Sequence, residues 1–201
     1  SIILNNSLDL FLKINLKKKF IDDTRRRSKN LNKEGKAEFK ICDVNNTPEK
    51  TKITREMLNQ KIARINNLKL KNFLNKNSQN FYLDFDNSKF LHGQLHISSL
   101  NLNEKILSVH WGVIYKNIFY HLMPSISQNE FMKYAPGRLL LFNLIQWSID
   151  NKIYKFDFTI GDESYKRDWS KENNFLHDYA ESNKLKAYPF YLYLKIKHKL
   201  K

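Results

Sequence analysis

Five side chains able to hold, release or accept a proton fall within ten residues: Asp157, Asp162, Glu163, Tyr165 and Lys166. A carboxylate beside a tyrosine can take a proton from one reacting group and return one to another, which is general acid–base chemistry. Asp162 or Glu163 is the expected base and Tyr165 the expected acid, with Asp157 at the start of the same cluster. Lys166 is better suited to hold a phosphorylated or carboxylate-bearing substrate. The competing reading is a solvated loop with a local Asp–Lys pair, ordinary in a chain this charged.

A second candidate lies twenty residues earlier. Pro136-Gly137-Arg138 opens an apolar-periodic run, so it reads as a helix start, with Leu139, Leu140, Phe142, Leu144, Ile145 and Ile149 as the buried stripe. Free N–H groups and the positive end of the helix dipole favour an anion there. Gly137 allows close approach, and Arg138 can add a charge-assisted bond. An ordinary proline-led helix start explains the same residues.

These residues need elements to hold them. Asn151-Lys152 closes the helix, and Tyr154 to Ile160 reads as a strand with Tyr154, Phe156, Phe158 and Ile160 on one face. Gly161 to Lys166 follows as a polar loop. Upstream, a meander is expected: Gln94 to Leu100, a turn over Asn101 to Lys105, Ile106 to Tyr115, the two-residue turn Lys116-Asn117, and Ile118 to Met123. Ser125 to Tyr134 reads as a loop.

Earlier still, Leu8 to Leu16 is a short strand or a helix start, and Lys17 to Gly35 a helix ending at its glycine. Lys36 to Val44 alternates as a half-buried strand, and Thr47-Pro48 leads to a helix over Lys50 to Asn75. Asn75 to Gln79 reads as a polar loop, and Phe81 to Leu91 as a weak helix. After Trp169, Phe175 to Tyr179 is a further strand, and the end of the chain is a lysine-rich aromatic tail. Antiparallel strands, a crossover helix and a strand parallel to its predecessor make a mixed α/β sheet flanked by helices.

The chain has 201 residues, a formal charge of +15 and 41% hydrophobic residues. That is enough for one sizeable core. The charge fits acidic partners such as nucleic acid, anionic lipid or a phosphorylated cofactor, and equally fits a solvated lysine-rich surface. Basic stretches at 17–19, 25–27 and 195–201 leave tRNA or an anionic membrane surface open as partners, although no nucleic-acid-binding motif accompanies them. The single cysteine, Cys42, excludes an intramolecular disulfide and suits a reducing, cytoplasmic compartment, with a membrane-peripheral position left open. No apolar run approaches a membrane span. His92, His96, His110 and His121 lie on or near strands without metal-ligand spacing, so no metal is expected. His110 should face the side of its sheet opposite Trp111. Ser98, Ser99 and Cys42 have no partner base near in sequence.

The run from Pro136 to Trp169, above all Asp-Phe-x-x-Gly-Asp-Glu-x-Tyr-Lys-x-x-Trp, resembles the acetyltransferase domain of the CelD/BcsL type in the GNAT superfamily, with Fem-type peptidyltransferases as relatives. The resemblance extends more loosely from Asp22 to Tyr179. It implies a GNAT-like acyltransferase fold and acetyl-CoA or another acyl-CoA as donor. It also implies an amine acceptor on a sugar nucleotide or a cell-envelope precursor, attacked in a ternary complex. In such folds a central strand splays from its neighbour and pairs with the pantetheine arm through its backbone. By that analogy Trp111, Gly112 and Val113 would meet the donor, and Gly137 and Arg138 its pyrophosphate. Residues 1–35 become an N-terminal arm and Arg-rich helix, the remnant of an upstream domain, and residues 36–201 the acyltransferase domain. Such proteins often carry a second GNAT-like domain, and the absence of an initial Met fits an excised piece. The loop from Lys133 to Arg138 keeps one glycine where that family usually has more. Two alternatives therefore stand beside the first: a Fem-like aminoacyl-tRNA-dependent transferase, and a non-catalytic GNAT-fold binding module.

Overall fold

The computed structural model describes residues 1–4, 7–70, 73–85, 90, 92–170, 188–190 and 192–193. Its centre is the expected meander: β-strands at Gly93–Leu102, Lys105–Tyr115 and Ile118–Ile126. The last turn has positive φ at both Lys116 and Asn117, the primed geometry whose twist matches the flanking strands. In chain order the strands are β1 (Ile2–Ile3), β2 (Ala37–Ile41), β3 to β5 (the meander) and β6 (Lys155–Asp157), arranged β1-β6-β5-β4-β3-β2. Among the described strands only β5 and β6 run parallel. Parallel neighbours need a crossover, and helix α5 (Pro136–Asp150) supplies it.

Helices cover both faces of the sheet. α1 (Leu8–Asn15), α2 (Lys18–Glu34) and α5 share one cluster with the strands, including Phe11, Leu31, Leu140, Leu144, Phe119 and Phe156. α3 (Thr47–Asn67) and α4 (Lys76–Asp84) close the other over Met57, Leu95, Ile97, Val109 and Trp111. His110 sits on the α5 face and Trp111 on the α3 face, as alternation requires. Among the described residues no helix is long and apolar enough to cross a membrane.

Several boundaries depart from expectation for local reasons. The Leu8 to Leu16 segment folds as helix α1 up to Asn15, begun by the Ser7 side chain accepting from Leu10 N–H. The helix expected to reach Asn75 stops at Asn67. The Asn75 side chain then accepts from Ser78 N–H and starts α4 where a polar loop was expected. β5 runs on to Ile126, and Glu130–Tyr134 is a 3-10 turn within the expected loop.

The largest correction concerns Tyr154 to Ile160. Only Lys155–Asp157 is strand, Phe156 and Phe158 are buried, and Tyr154 and Ile160 are 58% and 75% exposed. Thr159 turns the chain at φ +59°, and its N–H donates to Asp157 Oδ1 at 2.8 Å. The polar segment after it becomes helix α6 (Ser164–Trp169), because Trp169 buries itself edge-on to Phe20 at 5.4 Å. The strand expected at Phe175 to Tyr179 and most of the basic tail lie outside the described residues.

Gly112 occupies a bulge in β4, where register shifts between Trp111 and Val113. A Cβ there would sit 2.4 Å from the His110 ring and 2.4 Å from the Tyr120 carbonyl oxygen. Since backbone cannot step aside as a side-chain end can, Gly112→Ala should destabilise by about 1–3 kcal/mol. Urea unfolding at neutral pH measures it, and an unchanged midpoint would contradict this packing.

Candidate functional site

β6 pairs with β5 only over Ile118 to Tyr120. Thr159 makes the last link, its hydroxyl donating to the His121 carbonyl at 3.2 Å. Beyond it the strands part, and Leu122 to Ile126 keeps a strand neighbour only on the β4 side. A cleft of about 640 Å³ occupies the parting. Its walls are β5 from His121 to Ile126, the first turn of α5, the α6 segment, and the Gln60 to Arg64 turn of α3. A cavity of this size suits a small organic molecule.

The first turn of α5 meets the cleft through Gly137 and Arg138. No side chain caps this helix, so the Gly137 N–H points out of the first turn without an intrahelical partner. A Cβ at Gly137 would meet the end of Ile126 at 2.5 Å, so the glycine lets helix and strand edge approach.

Arg138 is not the free cation expected for a pyrophosphate. Its guanidinium donates to Asp23 at 2.8 Å and stacks over Phe20 at 4.5 Å. Asp23 also accepts from Arg27 and Arg26. Led by the Arg27 hydrogen bond and then that of Arg26, these partners hold its carboxyl well below the usual carboxylate range. Two of the three arginines of α2 and Arg138 thus serve one carboxylate, which fastens α2 to α5.

The acid–base cluster divides. Glu163, Tyr165 and Lys166 line the cleft, while Asp157 and Asp162 do not. Asp157 is spent on the Thr159 turn, and Asp162 is a solvent-facing partner of Arg167 at 2.9 Å. Lys166 Nζ donates to the carbonyls of Ile160 at 2.8 Å and Gly161 at 3.3 Å and pairs with Glu163 at 2.8 Å. It therefore holds the approach to α6 in shape as well as lending charge. Burial is the largest single influence on the Glu163 carboxyl and works to raise it, but the Lys166 hydrogen bond, a backbone hydrogen bond and the Lys166 and Lys61 charges together outweigh it, and the net direction is down. Burial, with Glu163 adding to it and Arg64 opposing, raises the Tyr165 phenol above its usual range. The phenol has no hydrogen-bond partner among the described residues.

Trp111, Gly112 and Val113 lie away from the cleft. β4 is paired with β3 on one edge and with β5 on the other, interrupted on the β5 side only by the bulge at Gly112. The space at Gly112 belongs to His110 and Tyr120. The open edge is one strand further on, at Leu122 to Ile126.

Sequence reasoning missed the α3 wall and His121. Gln60 is buried and accepts from the Ser125 hydroxyl at 2.8 Å, while its amide donates to the Ile106 carbonyl at 3.3 Å. Lys61 and Arg64 follow it on the cleft side. His121 heads three buried imidazoles: it stacks on His110 at 4.5 Å and 9°, with His96 6.1 Å beyond. Both ring nitrogens of His96 and His110, and Nδ1 of His121, are buried without a partner. Burial drives all three toward the neutral form, with His96 lowered to about 4 and His121 to about 3. Among the described residues no three His, Cys, Asp or Glu side chains form a metal-holding group. An alternating strand pattern was the only signal for His121, and an (i, i+3) basic pair the only one for Lys61 and Arg64.

Residues 18–167 match the family model described as an acetyltransferase (GNAT) domain. Among solved structures, the chain is similar to an aminoglycoside acetyltransferase from an uncultured soil metagenomic sample, in complex with trehalose. The identity is 12%, the TM-score 0.47, and the match covers 74% of this chain and 97% of that one. No curated protein matches the chain by sequence.

Proposed function

The chain belongs to the GNAT acetyltransferase domain family and is an acyltransferase, and from that premise we propose that the cleft between β5 and β6 is where an acyl-CoA donor meets an amine acceptor. The observation that carries this is the parting of the two parallel strands beside the uncapped start of α5. The free β5 edge from Leu122 to Ile126 is suited to bond the amides of the pantetheine arm. The Gly137 N–H and the α5 dipole suit its pyrophosphate, with Arg138 as a neighbouring charge already neutralised by Asp23. The donor supplies a thioester carbonyl. The acceptor nitrogen attacks that carbon, the C–S bond breaks, and the departing sulfur takes the Tyr165 proton. Glu163, ionised and exposed to the cleft, accepts the proton lost by the nitrogen, and Lys166 holds Glu163 in place.

The CelD/BcsL-type likeness of Asp157 to Trp169 supports an amino group on a sugar nucleotide or a cell-envelope precursor as acceptor, used on the cytoplasmic side where acyl-CoA is made. An associated second GNAT-like domain belongs to the same proposal.

Calorimetry with acetyl-CoA and a longer acyl-CoA, at two salt concentrations, tests it. Saturable one-to-one binding that survives the higher salt is expected. Gly137→Glu, which sets a carboxylate at the helix start, should weaken it about ten-fold or more. Absence of binding by the native protein would overturn the acyl-CoA reading. Binding that disappears with salt would turn the case toward aminoacyl-tRNA, whose phosphates make affinity steeply salt-dependent.

A further inference from the structure

The α3 wall carries charge that no ion pair among the described residues answers. Lys61 and Arg64 are three residues apart on one helix, so their side chains are neighbours and repel each other. Both line the cleft. The other cations of the cleft are committed, Arg138 to Asp23 and Lys166 to Glu163 and two carbonyls. Among the described residues neither the Lys61 nor the Arg64 side chain makes an ion pair or a hydrogen bond. Lys61 is half-buried, and its ammonium is pushed down first by burial and then by Arg64, with Glu163 opposing. Two adjacent like charges, one of them partly desolvated, are costly to keep without an anion.

Their position says which anion. Gln60, the residue before Lys61, is locked to Ser125 of β5, to Glu56 and to the Ile106 carbonyl, so this turn of helix is fixed against the strand edge. Lys61 acts electrostatically on Glu163 and His121, and Arg64 on Tyr165. The pair shares the cleft with Glu163, Tyr165 and Lys166, while the start of α5 is a separate wall. We infer that Lys61 and Arg64 form an oxyanion subsite that selects an acceptor amine bearing a phosphate or carboxylate. This rests on the acyl-transfer reading of the cleft and adds the acceptor's charge to it. Arg64 at the mouth meets the acidic group first, and Lys61 takes it inward beside Glu163.

The test compares two pairs of amines by calorimetry: glucosamine with glucosamine 6-phosphate, and ethanolamine with phosphoethanolamine, each with and without acetyl-CoA. The native protein should bind the phosphorylated member about ten-fold more tightly. Lys61→Met with Arg64→Met should erase that preference and leave acetyl-CoA affinity unchanged. Both replacements are good helix formers, so α3 should persist. The charge-conserving Lys61→Arg with Arg64→Lys should restore most of the preference. Equal binding within each pair, or no binding of any amine, overturns the inference. Loss of acetyl-CoA affinity in the Met variant also overturns it, because the pair would then serve the donor. Failure of the acyl-CoA reading looks different: acetyl-CoA does not bind the native protein, while a phosphate preference that depends on Lys61 and Arg64 remains.

Discussion

Lowering the pH from 6.5 to about 5 should bring this protein close to unfolding, before most of its carboxylates are titrated. His96, His110 and His121 are buried side by side, with five of their ring nitrogens lacking a partner among the described residues. A proton on any of these rings would be a buried charge without a counter-ion, beside two more imidazoles, and His121 already feels Lys166 and Lys61. In the unfolded chain the same histidines titrate near 6.5, against about 4 for folded His96 and about 3 for folded His121. Above pH 6.5 both states are neutral and nothing depends on pH. Below it the unfolded chain gains protons that the folded chain refuses, so stability falls as pH falls, and the loss ends only at the folded values. Each histidine contributes about 1.4 kcal/mol per pH unit within that window. Three together approach roughly 4 kcal/mol per unit, against total stabilities of about 5–15 kcal/mol. Asp23 acts in a separate window, since its stabilising effect is lost only below the ordinary carboxylate value of 3.8. Urea unfolding at pH 7.5, 6 and 5 gives the measurement, with a midpoint that collapses between the last two. His110→Phe keeps the ring stack and removes one of the three titrations, so it should make the profile shallower by about a third. A native midpoint independent of pH over this range would show that the three rings find partners in solution.

The same imidazoles show where sequence reading stops. Alternation places His110 opposite Trp111 correctly, but it cannot say that three strands bring three imidazoles together. Other features were local and so legible. Lys116-Asn117 demands a tight hairpin, Pro136-Gly137 a helix start, and a helix between two strands a parallel pair. Glu163, Tyr165 and Lys166, which line the cleft, could be grouped from sequence because they belong to one short segment. The misses are long-range. Asp23 captures Arg138 across 115 residues, which no window along the chain contains. The free strand edge was sought on β4, but it lies on β5, because the strand that feeds the crossover helix is the one that gains a parallel neighbour and can part from it. What ends that neighbour is small: Asp157 accepting one N–H and Thr159 adopting a positive φ. In sequence, Asp157 looked like chemistry and Thr159 like the continuation of a strand.

Removing one oxygen from Tyr165 should separate catalysis from binding. Its ring is packed in the cleft wall, 6.5 Å and edge-on from His121, and its phenol makes no hydrogen bond among the described residues. Tyr165→Phe therefore keeps the packing and deletes only the proton. If this proton goes to the departing thiolate, kcat should fall about a hundred-fold or more, while the acyl-CoA dissociation constant stays within about two-fold. The direction of the phenol's titration fits an acid. Burial and Glu163 raise it, so the proton stays in place through neutral and mildly alkaline pH, and the native rate should not fall with the onset of ordinary phenol ionisation. A base at this position would need the opposite shift. Glu163→Gln should lower kcat by a different route: with the ionised acceptor gone, the rate should recover as pH rises and the amine substrate loses its own proton. Tyr165→Phe should show no such recovery, since raising the pH cannot supply a missing acid. An undiminished kcat in Tyr165→Phe would release the tyrosine from chemistry and leave the thiolate to depart unprotonated. Parallel losses of kcat and acyl-CoA affinity would instead make it part of the donor-binding wall.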